Sequence, residues 1–499
     1  MNLPPRRNSW ISSRHVDSSN RPQVHLVEES EVFRDLDDIG STAQIITAAL
    51  ADKIAPEKIS TRGEDRAVHA TDKWHASHPP DVVVFAESTA DVVAVMKVAA
   101  ANGVPVTTRG AGVGYVGGCV PVKGGIALSL ARMNRIIELS PEDGVAVVEP
   151  GVITGQLQEA ARSVGWDYPP DPASLKECSI GGNIATNAGG PRCLKYGVTR
   201  SYVLGLEVVL ANGRILHCGG RVHKNKTGFD LVGLFTGSEG MLGIVTRATL
   251  RLIPKPPARA MLAAVFPEFS AAAAAVQAIL NSGHLPSALE ITDGFTLAAA
   301  RKRLGADRLP DGKAHLIVEI DGRPRAVASE IDELHELLGR LGATRIDRAD
   351  TEEACDAIWA MRREFSYSLR DTGLTKLNED IVVPRSRLVD LVNFARQLEK
   401  RTGIAVACFG HAGDGNIHTN LMVADYADPV TRAKADSALD RLFQWVLENG
   451  GAITGEHGIG LAKRPWIREA LGENSMAVHH ALKQALDPKG MLNPGKFLD

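Results

Sequence analysis

The sequence lacks the patterns that mark several common kinds of protein. Its cysteines are scattered, and none forms a C-x-x-C pair, which argues against a zinc ribbon, an iron–sulfur cluster and a thioredoxin-type redox motif. No apolar run approaches the ~18 residues that a membrane-spanning helix needs. We therefore expect reduced thiols in a cytoplasmic protein. The thiols are those of Cys119, Cys178, Cys193, Cys218, Cys355 and Cys408.

An excess of charge of one sign is also missing. The net charge is −3 and the pI about 6.6, so the chain has no general attraction for nucleic acid or for anionic membranes. Residues 1–40 carry charge, serine and proline but no apolar core of the kind found in a secretory signal. We expect these residues to form a flexible arm, with a docked extension as the alternative.

The 499 residues are enough for two or more cores. Strand-like and helix-like segments follow one another irregularly, which indicates an α+β protein with mixed strands rather than a regular βαβ series. Asn212 and Gly213 predict the turn of a hairpin, and the Lys-Pro-Pro stretch at 255–257 predicts a domain boundary. Strands are predicted at 81–86, 104–109, 126–130, 145–150 and 315–320, and helices at 42–59, 89–101, 271–281, 326–341 and 429–449.

A glycine-rich loop at 109–118, RGAGVGYVGG, contains G-x-G-x-x-G at Gly112, Gly114 and Gly117. A Rossmann interpretation requires a helix immediately afterwards, whereas here a strand is predicted next, so that interpretation fails. Successive glycine N–H groups can still form a nest that binds a diphosphate. The alternative is a glycine-rich turn without a ligand.

Two further clusters of small residues follow, at 171–190 and 236–243. The stretch at 179–190 is too rich in glycine and alanine for a stable core element. It predicts main chain wrapped closely around a flat ligand with polar edges. Three such clusters are better explained by one large cofactor than by three unrelated turns.

A group of histidines lies in the last quarter of the chain. His411 and His418 occupy one predicted loop and strand, and Glu456 and His457 occupy a glycine-rich loop further on. Two imidazoles and one carboxylate suit zinc, manganese or iron and leave coordination positions open for a substrate. The alternative is a set of hydrogen-bonded histidines in surface turns. We expect Asp414 to form an Asx turn rather than to bind metal.

The segments RGAGVGYVGG, PDPASLKECSIGGNIATNAGG and KNKTGFDLVGLFTGSEGMLGIVTRATLRL resemble the FAD-binding domain of the vanillyl-alcohol oxidase/p-cresol methylhydroxylase flavoproteins. Within that family the chain is most similar to D-lactate, glycolate and D-2-hydroxyglutarate dehydrogenases, over about residues 45–499. The resemblance implies a two-part FAD-binding domain of the p-cresol methylhydroxylase type at 41–255 and a separate α+β substrate (cap) domain at 256–470. It also implies a C-terminal segment at 471–499 that returns to the FAD-binding domain.

The resemblance further implies that residues 109–115 hold the FAD diphosphate and that parts of 171–190 pack against the isoalloxazine. The glycine loop contains no histidine, so we expect FAD to be bound non-covalently. The expected cofactor-binding residues are Arg109, Gly110, Ala111, Gly112, Val113, Gly114, Tyr115, Asp171, Ser174, Gly181, Gly182, Asn183, Ala185, Thr186, Gly189 and Gly243.

The resemblance assigns roles in the second half as well. The positions that match His411, His418 and Glu456 hold a divalent metal, for which zinc is the first expectation, and the position that matches His457 is the catalytic base. The expected substrate-binding residues are Arg362, Ser366, Asn420 and Lys376. A lysine that grips a distal carboxylate in the 2-hydroxyglutarate enzymes is replaced here by Asn378. Lys376 lies two residues away, on the same face of the predicted strand.

These assignments predict oxidation of a small D-2-hydroxy acid to the 2-oxo acid by hydride transfer to flavin N5. The expected electron acceptor is a separate protein, a quinone or oxygen. A peripheral position at the inner face of a membrane and a homodimer both stay open. The alternative functions are a non-redox flavoprotein of the alkyl-glycerone-phosphate-synthase type and a metal-dependent hydrolase.

Overall fold

The computed structural model describes residues 40–305, 308–309 and 311–498. The predicted arm at 1–40 lies outside these residues except for its last position. Strands before residue 255 form four-, five- and two-stranded sheets, and strands after residue 257 form one seven-stranded sheet. Helices accompany both regions, so the predicted α+β class is confirmed. Within the described ranges, no helix combines the length and the apolar character required to cross a membrane.

The first region contains three sheets. The four-stranded sheet has the order β1-β2-β4-β3, with β2, β4 and β3 parallel, and the five-stranded sheet is antiparallel with the order β5-β6-β10-β8-β9. A short pair joins β11 to β7. The strands are β1 Ile59–Ser60, β2 Val82–Phe85, β3 Val106–Arg109, β4 Ile126–Ser129, β5 Ile136–Ser140, β6 Val145–Val148, β7 Trp166–Asp167, β8 Val203–Val209, β9 Ile215–Gly219, β10 Ile244–Arg251 and β11 Ile253–Pro254. The helices are α1 Ser41–Leu50, α2 Gly63–Val68, α3 Thr89–Asn102, α4 Thr154–Ser163, α5 Ile180–Thr186, α6 Cys193–Tyr196 and α7 Leu231–Phe235.

The second region is one antiparallel sheet with the order β15-β12-β14-β13-β17-β18-β16. Its strands are β12 Ala258–Phe266, β13 Ala288–Asp293, β14 Ala314–Gly322, β15 Arg345–Ala349, β16 Thr375–Val382, β17 Ala405–His411 and β18 Asn416–Val423. The helices of this region and of the C-terminal segment are α8 Phe269–Asn281, α9 Gly294–Leu304, α10 Pro324–Arg340, α11 Glu352–Arg370, α12 Leu388–Thr402, α13 Pro429–Glu448, α14 Ile467–Leu471 and α15 Glu473–Leu486.

The two faces of the seven-stranded sheet differ. Helices α8, α10, α12 and α13 cover one face with a large apolar core. Helices α9 and α11 cover part of the other face through smaller apolar clusters. Since side chains alternate across a strand, polar residues at alternate positions of β13, β16 and β18 lie together on this second face.

Two sequence predictions need correction. The helix predicted at 42–59 ends at Leu50 and is followed by a short 3₁₀ turn at Pro56–Lys58. The predicted length was also excluded by Pro56, because proline lacks the N–H that a continuing helix requires. The stretch at 179–190 contains a helix, α5, whose Ile180 and Ile184 are buried. Small residues are needed there for close packing, since a Cβ at Gly181 would overlap Pro150.

The remaining predicted elements are confirmed with small shifts in their bounds. β8 and β9 form the predicted hairpin, and Gly213 at its turn has a φ of +79°. Residues 110–125, which include most of the glycine loop and the segment after it, are all described and contain neither helix nor strand. The helix that a Rossmann unit requires is thus missing at this position. Near the C-terminus, Met491 and Leu492 pack in the core of the four-stranded sheet.

Replacement of Phe443 by alanine tests the packing of the second region. Phe443 is fully buried on α13, and its ring centroid lies 4.4 Å from that of Trp466. Phe443→Ala should lower the free energy of unfolding by about 3–5 kcal/mol, because it leaves a cavity in the core. Val430 is 77% exposed on the same helix, so Val430→Ala should change that free energy by less than about 0.5 kcal/mol. Denaturant titrations that give similar values for the two variants would contradict this packing.

Candidate active site

A cavity of about 460 Å³ lies between the glycine-rich loops and the second face of the seven-stranded sheet. Its lining includes Arg362, Ser366, His411, His418, Glu456 and His457 from the second region. Of the expected cofactor-binding residues, the following line the cavity: Gly110, Ala111, Gly112, Val113, Gly114, Tyr115, Asp171, Ser174, Gly181, Gly182, Asn183, Ala185, Thr186, Gly189 and Gly243. The three glycine-rich clusters therefore share one cavity with the histidine group.

Arg109 does not line the cavity. Its guanidinium donates a hydrogen bond to the Thr71 carbonyl and lies 3.4 Å from the Cys119 sulfur. A Cβ at Gly112, where φ is +70°, would overlap the same guanidinium. Arg109 thus packs behind the glycine loop, and its expected contact with the cofactor stays a prediction.

Glu456 lies at the centre of the histidine group. Its Oε1 is 3.6 Å from His411 Nε2 and 3.5 Å from His418 Nε2, and the three ligand atoms all lie within 4.8 Å of one another. Two ligands held about 2.1 Å from a tetrahedral zinc lie roughly 3.4 Å apart. The spacing and the donor types therefore fit a divalent metal.

The two imidazoles have different surroundings. Burial lowers the pKa of His418 to about 3, so this ring is neutral and has one nitrogen lone pair to offer. Burial also disfavours the charged form of His411, but the neighbouring Glu290 carboxylate outweighs it and raises the pKa of His411. Glu290 Oε1 lies 2.5 Å from His411 Nδ1, so Nδ1–H donates to this carboxylate and Nε2 faces Glu456.

The loop that carries Glu456 and His457 is held by a buried carboxylate, Asp380, in the middle of β16. Asp380 Oδ2 accepts the backbone N–H groups of Gly455, Glu456 and His457 at 2.8, 2.7 and 3.0 Å. Asp380 Oδ1 accepts the ammonium of buried Lys463. Burial raises the pKa of Asp380, but His457 and Lys463 outweigh burial and hold that pKa well below its usual range.

His457 lies between the histidine group and the glycine loop. Its ring stacks on His418 with 5.5 Å between centroids, and the ring of Tyr115 lies 5.4 Å away on the glycine loop. His457 Nδ1 is 3.4 Å from Asp380 Oδ1, and Nε2 is 3.7 Å from Glu456 Oε1. The ring is thus backed by a carboxylate and borders the cavity, as a general base requires.

The expected substrate-binding residues divide into two groups. Arg362 and Ser366 line the cavity from α11, whereas Lys376 and Asn420 do not. Lys376 Nζ donates to Ser366 Oγ at 2.7 Å, and burial lowers the pKa of Lys376 to about 7. Asn420 is fully buried and donates to the carbonyls of Ala407 and His418. Its Oδ1 has no hydrogen-bond partner among the described residues, and its expected contact with the substrate stays a prediction.

Asn378 and Asp414 complete the comparison with the sequence predictions. Asn378 pairs with Asn420 across β16 and β18 and lines the cavity. The predicted Asx turn at Asp414 is confirmed, because its Oδ1 accepts the Asn416 N–H at 3.2 Å.

Three buried carboxylates at the site were missed from the sequence, namely Glu290, Asp380 and Glu239. Glu239 follows α7 in the first region and accepts the N–H groups of Ile459 and Gly460 at 2.8 Å each. A signal existed for the first two, since Glu290 and Asp380 lie inside the strand-like runs ALEIT and NEDIV. A charged residue in a buried strand needs a partner, but the sequence does not say which one.

Replacement of Asp380 by asparagine tests the anchoring of the 454–460 loop. Asparagine has one acceptor oxygen and would leave the buried Lys463 without a charged partner. We expect Asp380→Asn to lower the free energy of unfolding by about 3–5 kcal/mol, as for removal of one partner of a buried ion pair. Denaturant titration measures the change.

The matched control is Asp414→Asn, since asparagine forms the same Asx turn. It should change the free energy of unfolding by less than about 0.5 kcal/mol. Equal stability of the two variants would show that Asp380 does not anchor the loop.

Comparisons with known proteins agree with this geometry. Residues 80–219 match a family described as "FAD binding domain", and residues 255–497 match "FAD linked oxidases, C-terminal domain". The glycolate oxidase subunit GlcD of Bacillus subtilis (strain 168) is 38% identical over 443 residues, which cover 89% of this chain and 94% of that protein. The D-lactate dehydrogenase of Anaerostipes hadrus is 35% identical over 456 residues, which cover 89% of this chain and 95% of that protein.

A solved structure of p-cresol methylhydroxylase with substrate bound shares the fold. Its TM-score is 0.76 at 21% identity, with 92% of this chain and 96% of that chain covered. The predicted two-part FAD-binding architecture and the predicted family are thereby confirmed. The chain belongs to the FAD-linked oxidases and has the p-cresol methylhydroxylase type of fold.

Proposed function

We propose that this protein oxidises a small D-2-hydroxy acid, such as lactate or glycolate, to the 2-oxo acid, with non-covalent FAD and a divalent metal held by His411, His418 and Glu456. One observation carries the proposal. Arg362, His457 and the three candidate ligands line the same cavity as the three glycine-rich clusters. The relatives named glycolate oxidase subunit and D-lactate dehydrogenase support the substrate class.

The cavity lining supports the non-covalent attachment of FAD. Within the described part of the chain, the histidines that line the cavity are His411, His418 and His457. All three belong to the group around Glu456, and the glycine loop offers none. When bound, FAD supplies an acceptor for the hydride from the substrate's Cα.

Arg362 is the residue that we propose to bind the substrate carboxylate. Its Nε and Nη2 lie 2.8 and 2.6 Å from Glu290 Oε2. Nη1 then stays available to bind a substrate in the cavity. A guanidinium suits a carboxylate because its N–H groups are planar and fixed in direction. Asn378, which is neutral, lines the cavity where the 2-hydroxyglutarate enzymes have a lysine, so a monocarboxylate fits better than a dicarboxylate.

His457 is the residue that we propose to take the hydroxyl proton. A divalent metal in this site would supply Lewis acidity, which lowers the pKa of a coordinated hydroxyl. Asp380, 3.4 Å from His457 Nδ1, stabilises the imidazolium that forms when the proton is taken. A separate protein, a quinone or oxygen would have to take up the two electrons that the oxidation releases.

Anaerobic titration of the purified protein tests the proposed function. We expect a yellow protein whose flavin absorbance is bleached by D-lactate or by achiral glycolate and not by L-lactate. A colourless protein, or a flavin that no 2-hydroxy acid bleaches, would contradict the proposal.

The His457→Ala variant tests the proposed base in the same titration. It should stay yellow, and its flavin should be reduced about 10²–10⁴-fold more slowly, the usual contribution of a general base. The matched control is His480→Ala, since His480 is exposed on α15, and it should reduce at the rate of the unmodified protein. Near-normal reduction by His457→Ala would exclude His457 as the base.

A further inference from the structure

Glu290 is a buried carboxylate that contacts two candidate site residues at once. Its side chain has 0% exposure. Oε1 lies 2.5 Å from His411 Nδ1, and Oε2 accepts Arg362 Nε at 2.8 Å. Glu290 does not line the cavity. Its direct contacts with the candidate site are therefore those with His411 and Arg362.

We propose that Glu290 is a positioning residue that couples the metal site to the carboxylate-binding arginine. On this proposal, one carboxylate holds His411 with Nε2 toward Glu456 and holds Arg362 with Nη1 toward the substrate. The inference rests on the proposed function, since it assigns Glu290 to the support of that same site.

The contact with His411 sets which imidazole nitrogen is free. A histidine whose Nδ1–H donates to a carboxylate presents the lone pair of Nε2 and becomes a stronger metal ligand. His411 Nε2 is the atom that lies 3.6 Å from Glu456 Oε1. The strand register fixes the geometry, because Glu290 on β13 is the direct partner of His411 on β17.

The contact with Arg362 sets the direction of the guanidinium. The guanidinium carbon lies 4.9 Å from the Phe409 ring centroid and 5.6 Å from that of Phe365, so the two rings and Glu290 restrict its plane. Glu290 also offsets a cation that is only 7% exposed. A buried guanidinium without such a partner would carry a large desolvation cost.

Glutamine at position 290 would keep the shape of the side chain but could not accept hydrogen bonds from both His411 and Arg362. His411 and Arg362 both present N–H donors to Glu290, whereas a carboxamide has one acceptor oxygen and one donor nitrogen. If the nitrogen faced His411, Nδ1 would have to accept and the proton would move to Nε2, away from the tautomer that binds metal. If the nitrogen faced Arg362, donors would oppose donors and the guanidinium would turn.

The test compares Glu290→Gln with Asp293→Asn in the FAD-loaded protein. Asp293 is a matched control because it is a buried carboxylate on the same strand, but it accepts the N–H groups of Thr296 and Cys408 and touches no candidate site residue. Zinc or manganese affinity is measured by competition with a chelating dye without substrate. KM and kcat are then measured with the acid that bleaches the flavin best.

We expect Glu290→Gln to bind the metal about 10–100-fold more weakly, the usual effect of removing a partner of a metal-binding histidine, and to show a raised KM. Asp293→Asn should keep both values. Arg362→Met should raise KM and leave the metal affinity unchanged, which separates the effect of the Glu290–Arg362 contact from that of the Glu290–His411 contact. If Glu290→Gln fails to fold, Glu290→Asp is measured instead, since it keeps the charge but has one methylene fewer. Glu290→Asp should show a smaller loss of metal affinity and a smaller rise in KM.

Unchanged metal affinity or unchanged KM in the Glu290 variant would overturn the coupling, while the unmodified protein would still bind metal and be bleached by a 2-hydroxy acid. Failure of the proposed function looks different. In that case the unmodified protein itself would bind no divalent metal or would not be reduced by any 2-hydroxy acid.

Discussion

The site depends on how one short loop, residues 454–460, is held between the two regions of the chain. Asp380 on the seven-stranded sheet accepts three consecutive N–H groups at the start of the loop. Glu239 in the first region accepts the N–H groups of Ile459 and Gly460 at its end. A loop fixed at both ends by charge-assisted hydrogen bonds places Glu456 and His457 against the glycine-rich lining.

Buried carboxylates provide the same kind of support elsewhere around the cavity. Glu319, with 0% side-chain exposure, accepts two hydrogen bonds from Arg192, which also donates to Asp171 on the cavity wall. Removing one member of such a pair leaves an uncompensated buried charge, which is far more costly than losing a surface ion pair. Paired charges between the two regions therefore hold the cavity walls. The large apolar core lies on the opposite face of the seven-stranded sheet.

The sequence was most informative where metal-binding side chains occur together with glycine-rich loops. His411, His418 and Glu456 could be identified as a group because metal-binding side chains are rare and because glycine-rich loops surround them. The glycine clusters were recognised for a similar reason, since only glycine tolerates close approach and positive φ. The resemblance to known flavoproteins then supplied roles for Arg362 and His457 that spacing alone does not give.

The failures follow from information that only the fold contains. The sequence does not show that Arg109 donates to the Thr71 carbonyl or that Lys376 donates to Ser366, because these partners lie far away along the chain or on another element. Helix α5 was missed because its glycines signal close packing against Pro150 rather than an absence of structure. Glu239 could not be found at all, since its partners are 220 and 221 positions away in the sequence.

Anomalous X-ray diffraction from crystals of the FAD-loaded protein grown with zinc or manganese tests the central claim most directly. The account predicts one strong peak bound by His411 Nε2, His418 Nε2 and a Glu456 oxygen, with the flavin ring of the bound FAD bordering the same cavity. A metal bound elsewhere, or a flavin ring remote from these three side chains, would contradict it.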